Sequence, residues 1–291
     1  MMKTAWVFPG QGSQTVGMGA DLTATPMAKD RFIEAETILG WSVLDKCQGD
    51  ETELGKTLYT QPCLYVVESI LIDLLKDKGQ RVDLVTGHSL GEYSALYAAE
   101  VFDFATGLNL VKRRSELMSE AAGGKMVALM KFDRSQLEEA IASIPGVVLA
   151  NDNSEQQVVI SGTPEAVDQL CSQVKSKRAI ALKVSGAFHS PLMAEAATKF
   201  KQLLDEAKFT DAKVPVLSNV DPTPSTSATI LKERLSKQMT GSVRWREIML
   251  ALPQQEITQV LEVGPGKVLA GLLKRACSEI EVGNIRSLED F

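Results

Sequence analysis

The chain has few cysteines, only two histidines and no excess of basic residues, and each shortage excludes a class of protein. Four cysteines are scattered over 291 residues without a Cys-x-x-Cys pair, so neither a zinc site nor a disulfide framework is indicated. A net charge of −6 argues against a nucleic-acid-binding protein, which usually presents a basic face. We therefore expect free thiols, no metal and no nucleic-acid partner.

Long apolar runs are also lacking. The segment before Pro9 contains an apolar run of only five residues, which is too short for the apolar region of a signal peptide. No stretch approaches the roughly 18 consecutive apolar residues of a membrane helix. These absences predict a cytoplasmic protein with no membrane partner, and a hydrophobic content of 44% is ample for a core.

The order of the apolar segments predicts an α/β fold. We expect strands at 4–8 and 82–86, and helices at 61–79, from about 90 to 100, and at 104–121. A strand, a tight turn and a helix that recur in this order indicate a parallel sheet covered by helices. Later segments are expected to return to this sheet as strands at 214–220 and 257–264 and a helix at 266–276.

The pattern changes after residue 124. Predicted strands at 125–132, 146–152, 156–162 and 179–185 alternate with predicted helices at 134–144 and 164–176. The order β-α-β-β-α-β is the split βαβ pattern of a ferredoxin-like unit. We predict a large α/β subdomain formed by 1–124 and 187–291, with a small ferredoxin-like subdomain at 125–186 inserted into it.

The sequence Gly87-His88-Ser89-Leu90-Gly91 lies between a predicted strand and a predicted helix. A nucleophile elbow has this context, and its tight turn requires the residues two positions from the serine to lack a β-carbon. The helix N-terminus would also direct backbone N–H groups toward the serine oxygen. The alternative is a plain glycine-rich turn. We interpret Ser89 as a candidate nucleophile.

The general base is found by counting, because the chain has only two histidines. His88 is adjacent to the serine, so we expect its side chain to point elsewhere and to support the packing. His189 follows a predicted strand and precedes Pro191, and a serine nucleophile needs a base at neutral pH. No Asp or Glu is marked as a third member. We favour a Ser-His dyad oriented by a carbonyl or amide, and a distant carboxylate remains open.

The loop Phe8–Gly17 has the look of a nucleotide-binding loop but lacks its motifs. Thr15 stands where the dinucleotide fingerprint needs Gly or Ala, and no Gly-Lys-Ser/Thr follows. The Gly-Pro-Gly-Lys segment at 264–267 is equally incomplete, and a turn between strand and helix explains it. Acyl transfer needs two backbone donors for an oxyanion. We expect these to be the amides of Leu90 and Gln11, whereas the alternative for the first loop is an ordinary turn.

Taken together, these segments resemble the malonyl-CoA:acyl carrier protein transacylases of type II fatty acid synthesis. The resemblance covers nearly the whole chain, through the segments FPGQGSQ, GHSLGEYSAL, KRRSELM, AND-NS…QVVISG, GAFHSPLM, LSNVD and EVGPGKVLAGLLKR. It implies an α/β-hydrolase-like core with a ferredoxin-like insert, in agreement with the segment pattern. It also implies that Ser89 is acylated, that His189 is its general base and acid, and that Gln11 and Leu90 form the oxyanion hole.

Two further roles are implied by the resemblance. On sequence alone Arg114, beside Lys112 and Arg113, is typical of a solvated charged face. The resemblance makes Arg114 the residue that holds the malonyl carboxylate through two parallel hydrogen bonds. Such an arginine would select malonyl over acetyl, because an uncharged acyl chain leaves the buried charge unpaired. Gln238 matches a glutamine whose main-chain carbonyl orients the histidine.

Related polyketide acyltransferases with an Ala-Phe-His stretch typically take malonyl, and those with Ala-Ser-His typically take methylmalonyl. The sequence here is Ala187-Phe188-His189, so the resemblance implies a preference for malonyl. The implied reaction is ping-pong between malonyl-CoA and a holo acyl carrier protein, with no cofactor and with the enzyme as a monomer. Because carrier proteins of this kind are acidic, a local basic patch is expected to dock them.

Three alternatives remain at this point. A stand-alone acyltransferase of a polyketide synthase would use the same chemistry with another carrier. A serine hydrolase would use water as the acceptor. A catalytically silent docking module is disfavoured because every position needed for the chemistry is intact.

Overall fold

The computed structural model describes residues 3–121 and 123–291, which form nine strands and twelve α-helices. The strands are β1 (Thr4–Phe8), β2 (Leu84–Gly87), β3 (Lys125–Phe132), β4 (Val147–Ser154), β5 (Gln157–Gly162), β6 (Ser176–Ala181), β7 (Val216–Leu217), β8 (Gln259–Val263) and β9 (Glu281–Ile285). The helices are α1 (Pro26–Leu39), α2 (Val43–Gln48), α3 (Glu51–Leu54), α4 (Thr57–Asp77), α5 (Gly91–Ala98), α6 (Phe104–Glu120), α7 (Arg134–Ser143), α8 (Pro164–Gln173), α9 (Ala194–Glu206), α10 (Ala228–Gln238), α11 (Trp245–Gln254) and α12 (Val268–Ala276).

The strands form two sheets, and the predicted α/β class is confirmed. A parallel sheet has the order β7-β2-β1-β8-β9, and an antiparallel sheet has the order β4-β5-β3-β6. The second sheet, with α7 and α8, follows the β-α-β-β-α-β pattern of a ferredoxin-like unit. The first sheet combines strands from both ends of the chain, so the second is an insertion between β2 and β7.

The small sheet has two different faces because successive strand residues point to opposite sides. Val127 and Leu129 of β3 pack against α7 and α8 in a core of their own. Met126 and Ala128 instead join the large cluster that contains the helices around the parallel sheet. One face of the small sheet therefore closes over the large subdomain, and a cleft forms where the two meet.

Helix α4 is the central element of the large core. By length and composition it could cross a membrane, so the expectation that no segment comes near such a span was wrong. In the folded chain 83% of its most apolar window is buried against other parts of the protein. The helix also begins four residues before the predicted start and contains Pro62 in its second turn. We therefore assign α4 as a core helix.

Three strands differ from the sequence-based expectations. β6 lies about three residues earlier than predicted, where Ser176–Ala181 pair with β3. β7 is only Val216–Leu217, because the following residues leave the sheet edge for the site described below. β9 was not predicted. Its burial is only partial, and such an edge strand carries a weak apolar pattern.

The turn after β2 is built from direct backbone contact. A β-carbon on Gly87 would overlap the carbonyl group of Gly91, and one on Gly91 would overlap the carbonyl oxygen of Phe8 and lie 2.7 Å from that of Pro9. The end of β1 therefore touches the first turn of α5. This contact brings the loop after β1 beside the turn that carries Ser89.

Replacing Gly91 with alanine is expected to destabilise the fold strongly, by at least about 3 kcal/mol, because the added methyl group meets rigid backbone. The matched control is Gly271→Ala in α12, where a β-carbon meets only the end of Arg275 at 3.7 Å. That variant is expected to gain about 0.5–1 kcal/mol from reduced backbone entropy in the unfolded chain. Urea unfolding of both variants measures the difference, and equal stabilities would contradict this account of the turn.

Candidate active site

Ser89 occupies a strained turn between β2 and α5. Its φ angle is +53°, a left-handed conformation that costs a non-glycine residue about 1–3 kcal/mol. Glycines two positions away on either side make the turn possible, as the sequence pattern predicted. The serine side chain remains partly exposed at the floor of the cleft.

Both peptide groups of Ser89 are held by side chains from distant parts of the chain. The amide of Ser89 donates to Asn219 Oδ1 at 2.7 Å, and its carbonyl accepts from Gln238 Nε2 at 2.8 Å. Asn219 also donates through Nδ2 to the carbonyl of Gly87 at 2.6 Å. Asn219 lies two residues after the short β7, at the carboxyl edge of the parallel sheet. These bonds fix the strained backbone in place.

The imidazole of His189 reaches the serine from the other side of the cleft. Nε2 lies 2.8 Å from Ser89 Oγ, within hydrogen-bonding distance. His189 itself has a φ angle of +56° and is almost fully buried. Its loop is held by Ser190, whose hydroxyl donates to the carbonyl of Ala187 at 2.6 Å. The two residues singled out as nucleophile and base are thus in direct contact.

The other ring nitrogen of His189 faces main-chain carbonyls. Nδ1 lies 3.0 Å from the carbonyl of Gln238 and 3.1 Å from that of Gly241. Gln238 ends α10, and the last carbonyls of a helix lack an intrahelical partner, so this one is free to accept. Over residues 3–121 and 123–291 no carboxylate contacts the ring. The arrangement is a Ser-His pair oriented by carbonyls, with Gly241 as a second acceptor that the sequence did not indicate.

Burial and the nearby Arg114 guanidinium lower the pKa of His189 to about 3. The ring is therefore neutral near pH 7, with Nδ1–H donating to the two carbonyls and Nε2 free to accept a proton. A neutral imidazole in this tautomer is the form that a general base requires. His189 is thus already in the form of a general base before substrate binds.

Gln11 and Leu90 lie on the same cleft as Ser89. Leu90 precedes the first turn of α5, and Gln11 lies in the loop that β1 delivers to this turn. Within the described parts of the chain neither backbone amide donates to a protein acceptor. The side chain of Gln11 is turned aside and bonds Thr57 at 3.1 Å. Two backbone donors are thus available beside the serine, as the oxyanion-hole hypothesis requires.

Arg114 is buried rather than solvated, contrary to what its neighbours in sequence indicate. It lies on α6, whose N-terminus is capped by Asp103, and its side chain is 1% exposed. One guanidinium nitrogen donates to Ser89 Oγ at 3.0 Å and to Gln238 Oε1 at 3.1 Å, and another donates to Gln61. The run of three basic residues in the sequence could not predict the burial of Arg114, because Lys112 and Arg113 on the same helix are accessible.

The guanidinium of Arg114 has no carboxylate within 4.0 Å in the parts of the chain that the structure describes. Its Nε has no hydrogen-bond partner, and the ring of Tyr93 lies 5.4 Å from the guanidinium carbon. Burial lowers the pKa of Arg114, although an arginine stays charged in proteins. A buried cation without an anion is costly unless a ligand supplies one. The position next to Ser89 makes a carboxylate-bearing ligand the natural partner.

The cleft is lined from both subdomains. Most of the lining around the reactive groups is apolar or amide-bearing, and its residues are Gln11, Gln61, His88, Ser89, Leu90, Arg114, Met118, Met126, Asn151, Leu182, Val184, Phe188 and His189. Among the described residues no group of three or more His, Cys, Asp and Glu side chains could hold a metal ion.

His88 has a supporting position, as expected. Its Nε2 lies 2.8 Å from Asn153 Oδ1, and its ring meets the edge of Trp245. Asn153 belongs to β4 of the small subdomain and Trp245 to the large one. His88 thus links the turn of Ser89 to both subdomains, and within the described chain its ring makes no hydrogen bond to Ser89 or His189.

Sequence reasoning missed four residues of the site, namely Gln61, Glu92, Asn219 and Gly241. Glu92 is 1% exposed, and its Oε2 accepts from Gln238 Nε2 at 2.7 Å and from the amide of Asn219 at 3.1 Å. Burial raises the pKa of Glu92, and these two bonds oppose the rise. Glu92 and Asn219 lie within the segments GHSLGEYSAL and LSNVD, but only tertiary packing brings the four residues together, so the segments did not reveal these contacts.

Comparison with known proteins gives a consistent result. Residues 5–288 match the family model described as "Acyl transferase domain". The chain is 62% identical over 290 residues to the malonyl CoA-acyl carrier protein transacylase of Synechocystis sp., covering 100% of this chain and 99% of that protein. The crystal structure of the Synechocystis enzyme has a TM-score of 0.98 and covers 99% of both chains.

A second similar structure contains a carrier protein. It is a type II PKS acyl-carrier protein in complex with its malonyl-transacylase, and the transacylase is 38% identical with a TM-score of 0.94. The match covers 99% of this chain and 97% of the transacylase. The likeness thus extends over the whole chain rather than over the Ser89 motif alone.

The lowered pKa of His189 predicts how Ser89 reactivity depends on pH. The rate of labelling by a fluorophosphonate probe is expected to stay flat as the pH falls from about 8 to about 5, because His189 remains a neutral base. The pKa of His189 is about 6.5 in the unfolded chain and about 3 in the folded chain. As the pH falls between these values, the unfolded chain binds the proton more readily, so the free energy of unfolding decreases. A labelling rate that declines with an apparent pKa near 6.5 would contradict this electrostatic account.

Proposed function

The chain belongs to the acyl transferase domain family, and on that premise we propose that it transfers the malonyl group of malonyl-CoA to the phosphopantetheine thiol of an acyl carrier protein. The observation that carries the proposal is the buried Arg114 guanidinium, which contacts Ser89 Oγ and lacks a carboxylate partner in the described chain. A malonyl thioester has a carboxylate at one end and an electrophilic carbonyl at the other. The two ends match Arg114 and Ser89.

In the proposed complex the malonyl carboxylate accepts two hydrogen bonds from Arg114. The planar guanidinium suits such bidentate binding, and its desolvation makes the pairing strong. The thioester carbon then lies against Ser89 Oγ, with its oxygen directed to the amides of Gln11 and Leu90. Orientation of this kind removes much of the entropic cost of the reaction.

The first half-reaction acylates Ser89. His189 Nε2 takes the hydroxyl proton while Oγ attacks the thioester carbon, and the negative charge that develops on the carbonyl oxygen is stabilised by the two amides. The C–S bond breaks as the tetrahedral intermediate collapses. His189 returns its proton to the leaving sulfur, and CoA departs as the thiol. The Nδ1–H bonds to Gln238 and Gly241 stabilise the transient imidazolium.

The second half-reaction repeats these steps with a new thiol. His189 takes the proton of the phosphopantetheine thiol, and the thiolate attacks the malonyl-Ser89 ester. The oxyanion forms in the same hole, the C–O bond to Ser89 breaks, and His189 returns the proton to Oγ. Each proton and leaving group is handled by residues of one chain, so we propose a monomer that works without a metal or cofactor. We also propose a cytoplasmic location, where malonyl-CoA and the carrier would be its partners.

A second candidate is a stand-alone acyltransferase that serves a polyketide synthase. One similar structure is a malonyl-transacylase in complex with a type II PKS carrier protein, which supports this alternative. The chemistry at Ser89 is the same, and only the carrier differs. A serine hydrolase is less well supported, because similar proteins that match over the whole chain are named as transacylases. Arg114 binds the acyl group in either reaction and does not distinguish water from a thiol as the acceptor.

We further propose that a basic groove between the small subdomain and α12 of the large subdomain docks the carrier. Lys131, Lys177, Arg178 and Arg275 line it together with Met130 and other uncharged residues, and no acidic side chain is among its described lining residues. Met130 lies on the same face of β3 as Met126 of the cleft, about 13 Å along the strand. An acidic carrier bound here would have the reactive serine within reach of its arm, since opposite charges steer such partners together.

The proposed function predicts a stable covalent intermediate. Intact-mass measurement after mixing with malonyl-CoA is expected to show one malonyl adduct, which is absent in Ser89→Ala and discharged on addition of a holo acyl carrier protein. An adduct that decays equally fast without the carrier would instead identify a hydrolase. Absence of any adduct would contradict the proposal. Parallel assays with fatty acid and polyketide carriers decide between the first two candidates.

Arg114→Ala is expected to lower the ratio of malonyl to acetyl acylation of Ser89 by about 100-fold, because the variant no longer offers a charge that only a carboxylate neutralises. The matched control is Arg113→Ala, which removes a guanidinium that is 39% exposed and paired with Glu116 on the same helix. Initial rates with both thioesters give the ratio. A ratio equal to that of wild type in Arg114→Ala would exclude its proposed role.

Reversing a charge in the basic groove is expected to weaken carrier binding. Arg178→Glu should raise the KM for the carrier by about 10-fold at low salt and by less at high salt, since screening removes the contribution. Lys3→Glu is the control, because Lys3 immediately precedes β1, at the opposite end of the parallel strands from Ser89, and loses only an exposed ion pair with Glu256. An equal effect of both substitutions would show that only net charge matters and that the groove is not the docking site.

A further inference from the structure

Glu92 is a buried carboxylate that the mechanism does not use. It lies on α5, three residues after Ser89, and is 1% exposed. It is not among the described residues that line the cleft, and it makes no hydrogen bond to Ser89 Oγ or to the ring of His189. A buried charged group without a role in the chemistry needs another reason to be present.

The bonds of Glu92 lead to the two residues that hold Ser89. Its Oε2 accepts from the amide of Asn219 at 3.1 Å and from Nε2 of Gln238 at 2.7 Å. Asn219 holds the amide of Ser89, and Gln238 holds its carbonyl. One carboxylate oxygen therefore joins the two side chains that grip the strained turn from both sides.

The hydrogen bond between Glu92 and Gln238 also connects Glu92 indirectly to Arg114 and His189. The side-chain oxygen of Gln238 accepts from Arg114 at 3.1 Å, and its main-chain carbonyl faces Nδ1 of His189 at 3.0 Å. An acceptor at Glu92 fixes which end of the Gln238 amide is the donor. With the amide in this orientation its oxygen faces Arg114 and its nitrogen faces Ser89.

We propose that Glu92 is a positioning residue, which holds Ser89 in its reactive conformation by anchoring Asn219 and Gln238 through one carboxylate oxygen. The kcat assay of this inference rests on the proposed function, whereas the positioning role itself is argued from the hydrogen bonds alone. What matters is the reach of the acceptor oxygen rather than its negative charge. A glutamine oxygen can accept from both donors, whereas an aspartate oxygen is one methylene too short.

The decisive comparison is Glu92→Gln against Glu92→Asp. The glutamine variant is expected to keep kcat for malonyl transfer within about 5-fold of wild type, because it keeps both acceptor contacts and loses the extra strength of charged hydrogen bonds and a share of the electrostatic support of Arg114. The aspartate variant is expected to lose about 100-fold in kcat with a much smaller change in the KM for malonyl-CoA, because Ser89 is displaced from its attack geometry. An active aspartate variant with an inactive glutamine variant would overturn the proposal.

A control separates positioning from general loss of stability. Glu68 is an equally buried glutamate that accepts from Ser94 on the same helix α5, but it has no contact with Asn219 or Gln238. Glu68→Gln and Glu68→Asp are therefore expected to keep similar kcat values, whatever their melting temperatures. If the aspartate variant at position 68 lost kcat as severely as the one at 92, the effect would be structural and the inference would fail.

A double-mutant cycle tests the route of the effect. Because Glu92 acts partly through Gln238, the losses in kcat of Glu92→Asp and Gln238→Ala should be less than multiplicative when combined, whereas multiplicative losses would contradict the shared route. Fluorophosphonate labelling of Ser89 is measured on every variant. If wild type forms no malonyl adduct, the proposed function fails, and the labelling rates still decide the role of Glu92.

Discussion

The unpaired positive charge of Arg114 is the constraint on which the rest of the site depends. A guanidinium that is almost fully buried beside a nucleophile has only neutral amides and the Ser89 hydroxyl as hydrogen-bond partners in the described chain, and the nearby Glu92 and Tyr93 only partly offset the effect of burial on its pKa. The cost of such burial is offset when an anionic ligand arrives. Burial is the main cause that lowers the pKa of His189, and the charge of Arg114 adds to it, so the base stays neutral. The charge that selects the substrate thus also contributes to the neutral state of the base.

The two-part architecture provides the conditions that this charge requires. The parallel sheet delivers β1, β2 and β7 to one edge, where the loops after them bring Gln11, Ser89 and Asn219 together. The small sheet closes over this edge with its apolar face, and Arg114 and His189 are buried beneath it while Ser89 stays partly exposed. A low local dielectric strengthens every polar contact beneath it. Strain at Ser89 is tolerated because distant side chains hold its peptide groups on both sides.

The sequence was sufficient for the fold class and for the contacts that depend on local pattern. The glycines two residues before and after Ser89 predicted a tight turn, and the presence of only two histidines indicated His189 as the candidate base. The burial of Arg114 could not be inferred from its neighbours, since one face of α6 is solvated and the other is not. Glu92, Asn219 and Gly241 were missed for a related reason. They come into contact only when β7 and α10 pack against the turn of Ser89, and the spacing of these residues along the chain does not predict that contact.

The account is tested most directly by the equilibrium binding of two thioesters to the Ser89→Ala enzyme, in which no acyl transfer can occur. Malonyl-CoA and acetyl-CoA differ only by the carboxylate, so the ratio of their dissociation constants isolates the contribution of the buried charge. We predict that malonyl-CoA binds at least about 10-fold more tightly than acetyl-CoA at moderate ionic strength. Equal dissociation constants would show that Arg114 does not bind the malonyl carboxylate, and the electrostatic account of this site would be wrong.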